Sequence, residues 1–487
     1  MKRLTMLGIF CPLFFICIGA TGWTQEAGDV TLEPYSFKLQ GTPVEATKGT
    51  LFVPENRSTS STNLIELAFI VIKSSSPSPK YPTIYLVGGP GGSGIDIGRS
   101  IRAKLINELR AVGDVIIFDQ RGTGISKPNL EFEDSWNIPL DQPLDKSSLV
   151  TAAVKNAEAC TAFFRSKGVD LRAYNTNENA DDVDAIRAAI GAEKINLCAS
   201  SYGTHLAFAV MRRHGSGVNR AVLCGVEGPD DTLKLPESIQ ANLEKIEALC
   251  KQDEVLSAQM PSFMGLIDSL IKKLHTTPVS VSRVDPRTKK TETIVLGSYD
   301  LKLYVAEMSG RLPSIRTLPA ELLAMEKGDF ENIARLSMFF RKGGVGSAMS
   351  LYMDCASGVS ETRLATIRQA SEDFLLGDGI NDPYPEICAA CGDVDLGKEF
   401  RSDLVSDIPV LFFSGSLDNR TPYSNAEKSL VGFSNGISIL IENVGHDEQL
   451  FSGIEEMRTR TVKFLSGETV SSEIIHGGDV VFKKPAA

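Results

Sequence analysis

A serine attacks a carbonyl only if a neighbouring base takes its proton, and that base needs a carboxylate to fix its tautomer and steady its charge. The stretch Ala199-Ser200-Ser201-Tyr202-Gly203 could supply such a serine. It lies one residue off the G-x-S-x-G pattern, in which a strained strand-to-helix turn projects the hydroxyl off the end of a sheet. Strand and helix nearly touch there, so the residues two before and two after the serine must be small. Ala199 and Gly203 flank Ser201 in this way. Ser200 would be flanked by Cys198 and Tyr202, which are too large. Ser201 is the candidate nucleophile; the alternative is a serine in an ordinary turn, since short motifs recur by chance.

The chain has five histidines. His205 lies four residues after Ser201 on the same expected helix and so points down that helix, and His214 ends it. His275 falls in the expected helical insertion and His476 in the C-terminal tail. His446, in Val444-Gly-His-Asp447, follows directly on an apolar strand pattern, which puts it at the sheet edge that carries Ser201. Asp418, in Gly415-Ser-Leu-Asp-Asn-Arg-Thr-Pro422, follows another strand and precedes His446 by one helix and one strand. Asp447 adjoins the histidine but cannot easily reach its own neighbour's ring. The order Ser201, Asp418, His446 is that of the α/β-hydrolases. An oxyanion needs two backbone donors. Tyr202 N–H is one candidate, and Gly89, in the loop Gly88-Gly-Pro-Gly-Gly-Ser-Gly94, is the other. That loop lacks the Gly-Lys-Ser/Thr ending of a phosphate loop.

Strand patterns at 49–53, 64–73, 83–87, 114–118, 195–198 and 218–224 alternate with helical ones at 97–112, 149–167, 179–190 and 205–213, whereas residues 25–48 read as irregular. Such alternation predicts a mostly parallel sheet with helices on both faces. It stops near residue 228. Mainly helical patterns follow at 237–250, 260–274, 300–311, 319–327 and 330–340, with a polar hairpin at 279–296. Strands return at 409–413 and 436–441, with helices at 424–433 and 448–465. The expected fold is α/β, a mostly parallel sheet with a large, mainly helical lid inserted between two sheet strands. The expected division is a signal peptide at 1–24, the first part of the core at 25–228, the lid at 229–407, and the second part of the core with a C-terminal tail at 408–487. An insertion at that point sits over the strand C-termini, where ligands bind in open α/β sheets.

Five motifs in order, Gly88-Gly-Pro-Gly-Gly92, Asp119-Gln-Arg-Gly-Thr-Gly-Ile-Ser126, Ser201-Tyr-Gly-Thr204, Gly415-Ser-Leu-Asp-Asn-Arg-Thr-Pro422 and Gly445-His446, resemble those of the prolyl iminopeptidase and tripeptidyl aminopeptidase group of α/β-hydrolases. The resemblance covers about residues 45–230 and 405–465. It implies serine-dependent release of one or a few residues from peptide N-termini, with Ser201, Asp418 and His446 as triad and Gly89 with Tyr202 as oxyanion hole. Asp119 and Arg121 would brace the surrounding loops. Ala199 stands where the group usually has Gly. Val87 stands where the iminopeptidases have His, which is closer to the secreted tripeptidyl branch. Cys355 and Cys388 resemble half-cystines of that branch's lid. The group's amine-binding carboxylates lie in the lid; Glu227, just before it, and Asp354 are candidates, with ordinary structural acids as the alternative reading.

Composition bounds the rest. The chain has 487 residues, net charge −11, and no basic cluster that would track a phosphate backbone, so no nucleic-acid partner is expected. Met1-Lys-Arg3, an apolar run from Leu4 to Ile18 and the small residues Gly19, Ala20 and Gly22 read as a signal peptide. A periplasmic or secreted protein with no stable membrane span after cleavage is expected. Cys160, Cys198, Cys224, Cys250, Cys355, Cys388 and Cys391 remain, and a bridge from Cys355 to Cys388 or Cys391 fits an oxidising compartment. A lone C-x-x-C at 388–391 is weak evidence for zinc, and neither metal nor cofactor is expected. Three functions compete: a serine aminopeptidase acting on peptides, an esterase or other small-molecule hydrolase on the same scaffold, and an inactive binding protein that kept the fold.

Overall fold

The computed structural model describes residues 25–285 and 288–485; the expected signal peptide at 1–24 lies outside them. Twelve strands are present among the described residues: β1 Val30–Leu39, β2 Thr42–Pro54, β3 Leu64–Ile72, β4 Thr83–Leu86, β5 Val115–Phe118, β6 Ile195–Ser200, β7 Val218–Cys224, β8 Val279–Val284, β9 Thr291–Leu296, β10 Val410–Gly415, β11 Gly436–Glu442 and β12 Ile475–His476. Ten of them form one sheet in the order β1-β2-β3-β5-β4-β6-β7-β10-β11-β12, and β8 pairs only with β9. β1, β2 and β3 run antiparallel in succession, and β3 is antiparallel to β5. From β5 to β12 every pairing is parallel.

The central strands are short and apolar because both of their faces are covered. In β6, Ile195, Leu197 and Ala199 join the core on one face, while Cys198 joins that on the other. The helix Lys146–Ser166, opened by Asp145 accepting from Ser148 N, helps to cover the first face. So does the helix Thr176–Ala189, opened by Asn175 accepting from Glu178 N. The helix Glu455–Leu465 packs on the second.

Residues 25–48 are not irregular: they hold β1 and most of β2, a paired hairpin at the sheet edge. The outer strand is mostly exposed, so its side chains carry little of the apolar alternation that betrays a half-buried strand.

Between β7 and β10 the chain forms helices and the β8–β9 hairpin. Much of this insertion has a core of its own, built from residues such as Leu243, Ile267, Leu301, Leu322 and Ile333. The helix Ala348–Ser357 is different. It packs into the core on the first face of the sheet through Ala348, Met349, Leu351, Tyr352 and Met353. Neither it nor the helix Glu361–Asp373 was expected from the sequence pattern. Cys355 is bridged to Cys388, which resolves the two pairings left open, and Cys391 is a buried free thiol. Among the described residues no helix is long and apolar enough to cross a membrane.

Candidate active site

Ser201 lies between the end of β6 and the helix Tyr202–His214, at the N-cap of that helix. Its φ of 53° is a strained value for a residue with a Cβ. The turn holds it there. Ser201 N donates to Cys224 O at 3.0 Å, and its carbonyl accepts from Thr204 Oγ1 at 2.7 Å. The small residue at 203 is a steric necessity. A Cβ on Gly203 would lie 2.1 Å from Leu86 O, a backbone atom that cannot yield. At the other flank Ala199 is fully packed, so its methyl is accommodated where a glycine is usual.

The three expected side chains meet. Ser201 Oγ lies 2.9 Å from His446 Nε2, and His446 Nδ1 lies 2.9 Å from Asp418 Oδ2. Asp418 is itself well held. Arg420 N and Thr421 N each donate to Oδ1 at 2.8 Å, and Thr421 Oγ1 donates to Oδ2 at 2.7 Å. Burial alone would raise its pKa, but the facing His446, the backbone amides and Thr421 outweigh that and hold the carboxyl below its ordinary range. The imidazole edge meets the Phe451 ring at 5.0 Å between centroids, which restricts its tilt. This row can move a proton from a hydroxyl to an imidazole while a fixed anion balances the charge.

Tyr202 opens its helix, so its N–H has no intrahelical acceptor and is available at the Ser201 end. Gly89 faces the same cavity as Ser201. Its φ of +133° is one that glycine alone adopts freely. Asp119 braces this loop. Its Oδ1 accepts from Ser93 Oγ at 2.7 Å and Ile95 N at 3.1 Å, and its Oδ2 from Ile125 N at 2.8 Å. Arg121 works farther off. It is fully buried and clamps Asp182 through two bonds of 2.7 and 2.8 Å, with further bonds to Glu55 O and Ala173 O. Its neighbour Gln120, not singled out in the sequence, reaches Val87 O just before the glycine loop at 3.2 Å.

His205 is buried, with Nδ1 3.0 Å from Gly228 O and Nε2 3.0 Å from Ser357 Oγ. It points away from Ser201, and burial lowers its pKa. Asp447 does not reach the His446 ring; its Oδ2 accepts from Leu312 N at 2.7 Å.

A cavity of about 300 Å³ joins these groups to the insertion. Glu227 and Asp354 both line it with Ser201 and His446. Glu227 is paired with Lys234 at 2.8 Å. Asp354 is raised to about 8 by burial and by the nearby Glu227, against the opposing pull of Lys234 and a hydrogen bond from Tyr384. Glu307, paired with Arg420, and Arg311 complete the charged lining. Sequence reasoning did not find Lys234, Glu307, Arg311, Arg420 or Tyr384. Arg420 and Thr421 lay within a recognised motif, but the others carry no local signal.

Residues 82–452 match the family described as the alpha/beta hydrolase fold. The chain belongs to that family. Among curated relatives, a putative hydrolase, YuaR, of Escherichia coli is 24% identical over 460 residues, which is 89% of this chain and 88% of that protein. A tripeptidyl aminopeptidase of Streptomyces coelicolor is 33% identical over 156 residues, 30% of this chain and only 28% of that protein. The serine protease Hip1 of Mycobacterium tuberculosis is 30% identical over 152 residues, 29% of each chain. Among solved structures, a proline iminopeptidase from Mycobacterium smegmatis aligns with 86% of this chain and 98% of its own, at 15% identity and a TM-score of 0.35. The resemblance to the peptidase group thus extends to peptidase-named relatives within one segment, and this α/β-hydrolase shares its greater length with a hydrolase of broader description.

Proposed function

We propose that this protein is a serine hydrolase working through an acyl-enzyme, and that it is an aminopeptidase releasing one or a few residues from peptide N-termini. The observation that carries the hydrolase reading is the row Ser201–His446–Asp418, with 2.9 Å at each step. In this mechanism His446 Nε2 takes the Ser201 proton as Oγ attacks the carbonyl. The oxyanion is met by Gly89 N–H and Tyr202 N–H. His446 then returns the proton to the leaving amine, and water repeats the sequence on the acyl-enzyme. The helical insertion acts as a lid that limits entry to small substrates or free chain ends. Export through a leader at 1–24, to the periplasm or the medium, belongs to the same proposal.

The aminopeptidase reading is supported by two carboxylates, Glu227 and Asp354, in the cavity that holds the serine. A substrate α-ammonium bound there would favour the ionised form of Asp354. One observation favours a second reading, an esterase. Lys234 already pairs with Glu227, and Asp354 holds its proton up to about pH 8, so no bare anion awaits an ammonium at neutral pH. Prolyl-, alanyl- and tripeptidyl-anilides tested against short acyl esters separate the two. Anilide turnover is expected; ester turnover without any anilide turnover would end the aminopeptidase reading. A fluorophosphonate probe that never labels Ser201 would instead support a binding protein that kept the fold.

A further inference from the structure

The charges that line the cavity are unequal in one respect. Glu227 is matched by Lys234, and Glu307 by Arg420. Asp354 is hydrogen-bonded by Tyr384 and close to Glu227 and Lys234. Among the described residues, Arg311 alone of the cationic side chains of that lining has no hydrogen bond, ion pair or aromatic ring to hold it. Arg311 is exposed and is among the residues that line the cavity, and a guanidinium there attracts an anion, its planar fork pairing with the two oxygens of a carboxylate or a phosphate.

Its place along the reaction path follows from its backbone. Gly310 O, just before it, accepts from His446 N at 2.7 Å. Leu312 N, just after it, donates to Asp447 Oδ2 at 2.7 Å. Arg311 is thus tied on both sides to the loop whose imidazole protonates the leaving group. The carboxylates belong to the other flank. Asp354 is on the helix Ala348–Ser357, whose Ser350 Oγ donates to Pro90 O at 2.8 Å in the glycine loop. Glu227 follows β7 and is bonded through its N–H to Thr204 Oγ1, beside the nucleophile.

We infer that Arg311 binds the C-terminal carboxylate of the departing piece, so that the preferred substrates are short free peptides with a charge at each end. The inference rests on the aminopeptidase reading and deepens it. The ammonium end lies toward Glu227 and Asp354, the scissile carbonyl at Ser201, and the carboxylate end at Arg311. The distance an arginine side chain can reach past His446 limits the departing piece to a short one. Longer peptides lose this contact and gain nothing in exchange.

The test is a matched pair of short peptides, identical except that one ends in a free acid and the other in an amide. Cleavage is measured for the wild-type protein, Arg311→Gln and Arg311→Lys. The wild type should favour the acid by about fivefold in kcat/KM, the scale of one partly exposed ion pair. The preference should vanish in Arg311→Gln, persist in part in Arg311→Lys, and shrink as salt is raised. Arg311 is exposed and its side chain holds nothing in place, so both variants should fold. An acid-to-amide ratio that is the same in Arg311→Gln as in the wild type overturns the inference while leaving the aminopeptidase reading intact. Cleavage of neither peptide, by protein that a fluorophosphonate still labels, overturns that reading and this inference with it.

Discussion

The turn at Ser201 and the insertion-side wall of the cavity meet within one site, yet they are built differently. The turn is made from neighbours in sequence: β6, Ser201 and the helix that follows. Its surroundings are sheet backbone, and a single added methyl at 203 would strike Leu86 O. The wall is assembled from Glu227, Glu307, Arg311, Asp354 and Tyr384, which lie on separate elements and meet through ion pairs and loop contacts. The lesson is a division of labour. On the proposed function, chemistry is set on a rigid frame, and selectivity is carried by side chains whose replacement leaves that frame standing.

The largest effects should come from substitutions at the turn itself. Ser201→Ala should remove fluorophosphonate labelling and lower kcat by roughly a million-fold, and His446→Ala should do nearly the same. His205→Ala, once folded, should keep most of its labelling, because that imidazole bonds Gly228 and Ser357 and not the nucleophile. Equal loss in all three would mean that the site fails through folding and not through chemistry.

Gly203→Ala tests the rigidity of the frame. Backbone must move to admit the Cβ, at a cost of about 3 kcal/mol, and chemical denaturation should show it as a lower midpoint. The insertion has a comparable but gentler vulnerability in its disulfide. Cys355→Ser should cost about 2–3 kcal/mol by freeing a loop of 33 residues in the unfolded chain. Thermal melts with and without reductant should coincide for this variant and differ for the wild type, while both proteins still label when folded.

The smallest effect should fall on the wall. An ammonium binds best to ionised Asp354, and that group holds its proton below about pH 8. KM for a peptide substrate should therefore fall as pH rises toward 8, by up to about tenfold per unit, and rise again once the substrate amine loses its charge near the same pH. Asp354→Asn should flatten the falling limb, raise KM near pH 8 and leave the labelling rate of Ser201 little changed. A pH profile of KM that is identical in both proteins would remove Asp354 from substrate binding.

Much of the frame was legible beforehand. Ala199 and Gly203 singled out Ser201 over Ser200 because steric limits in a tight turn act over two residues. His446 was separated from the other four histidines by following a strand, and strands announce themselves by apolar runs. The β1–β2 hairpin was missed because an exposed edge strand has no such run, and the helix Ala348–Ser357 because it is apolar nearly all round and shows no clear stripe.

The amino-acid order by itself singled out Ser201 as the candidate nucleophile, its turn, and the order in which Asp418 and His446 follow, since those depend on residue size and on local periodicity. Only the folded chain decided which charges share the cavity and which of them are spent on each other. Lys234 neutralises Glu227, Arg420 neutralises Glu307, and Arg311 is left over. The Arg420–Glu307 pair depends on how the insertion lands on the loops of Asp418 and His446, through Asn419 to Ala306 O and His446 N to Gly310 O. Contacts between residues a hundred or more positions apart leave no trace in the spacing of either partner.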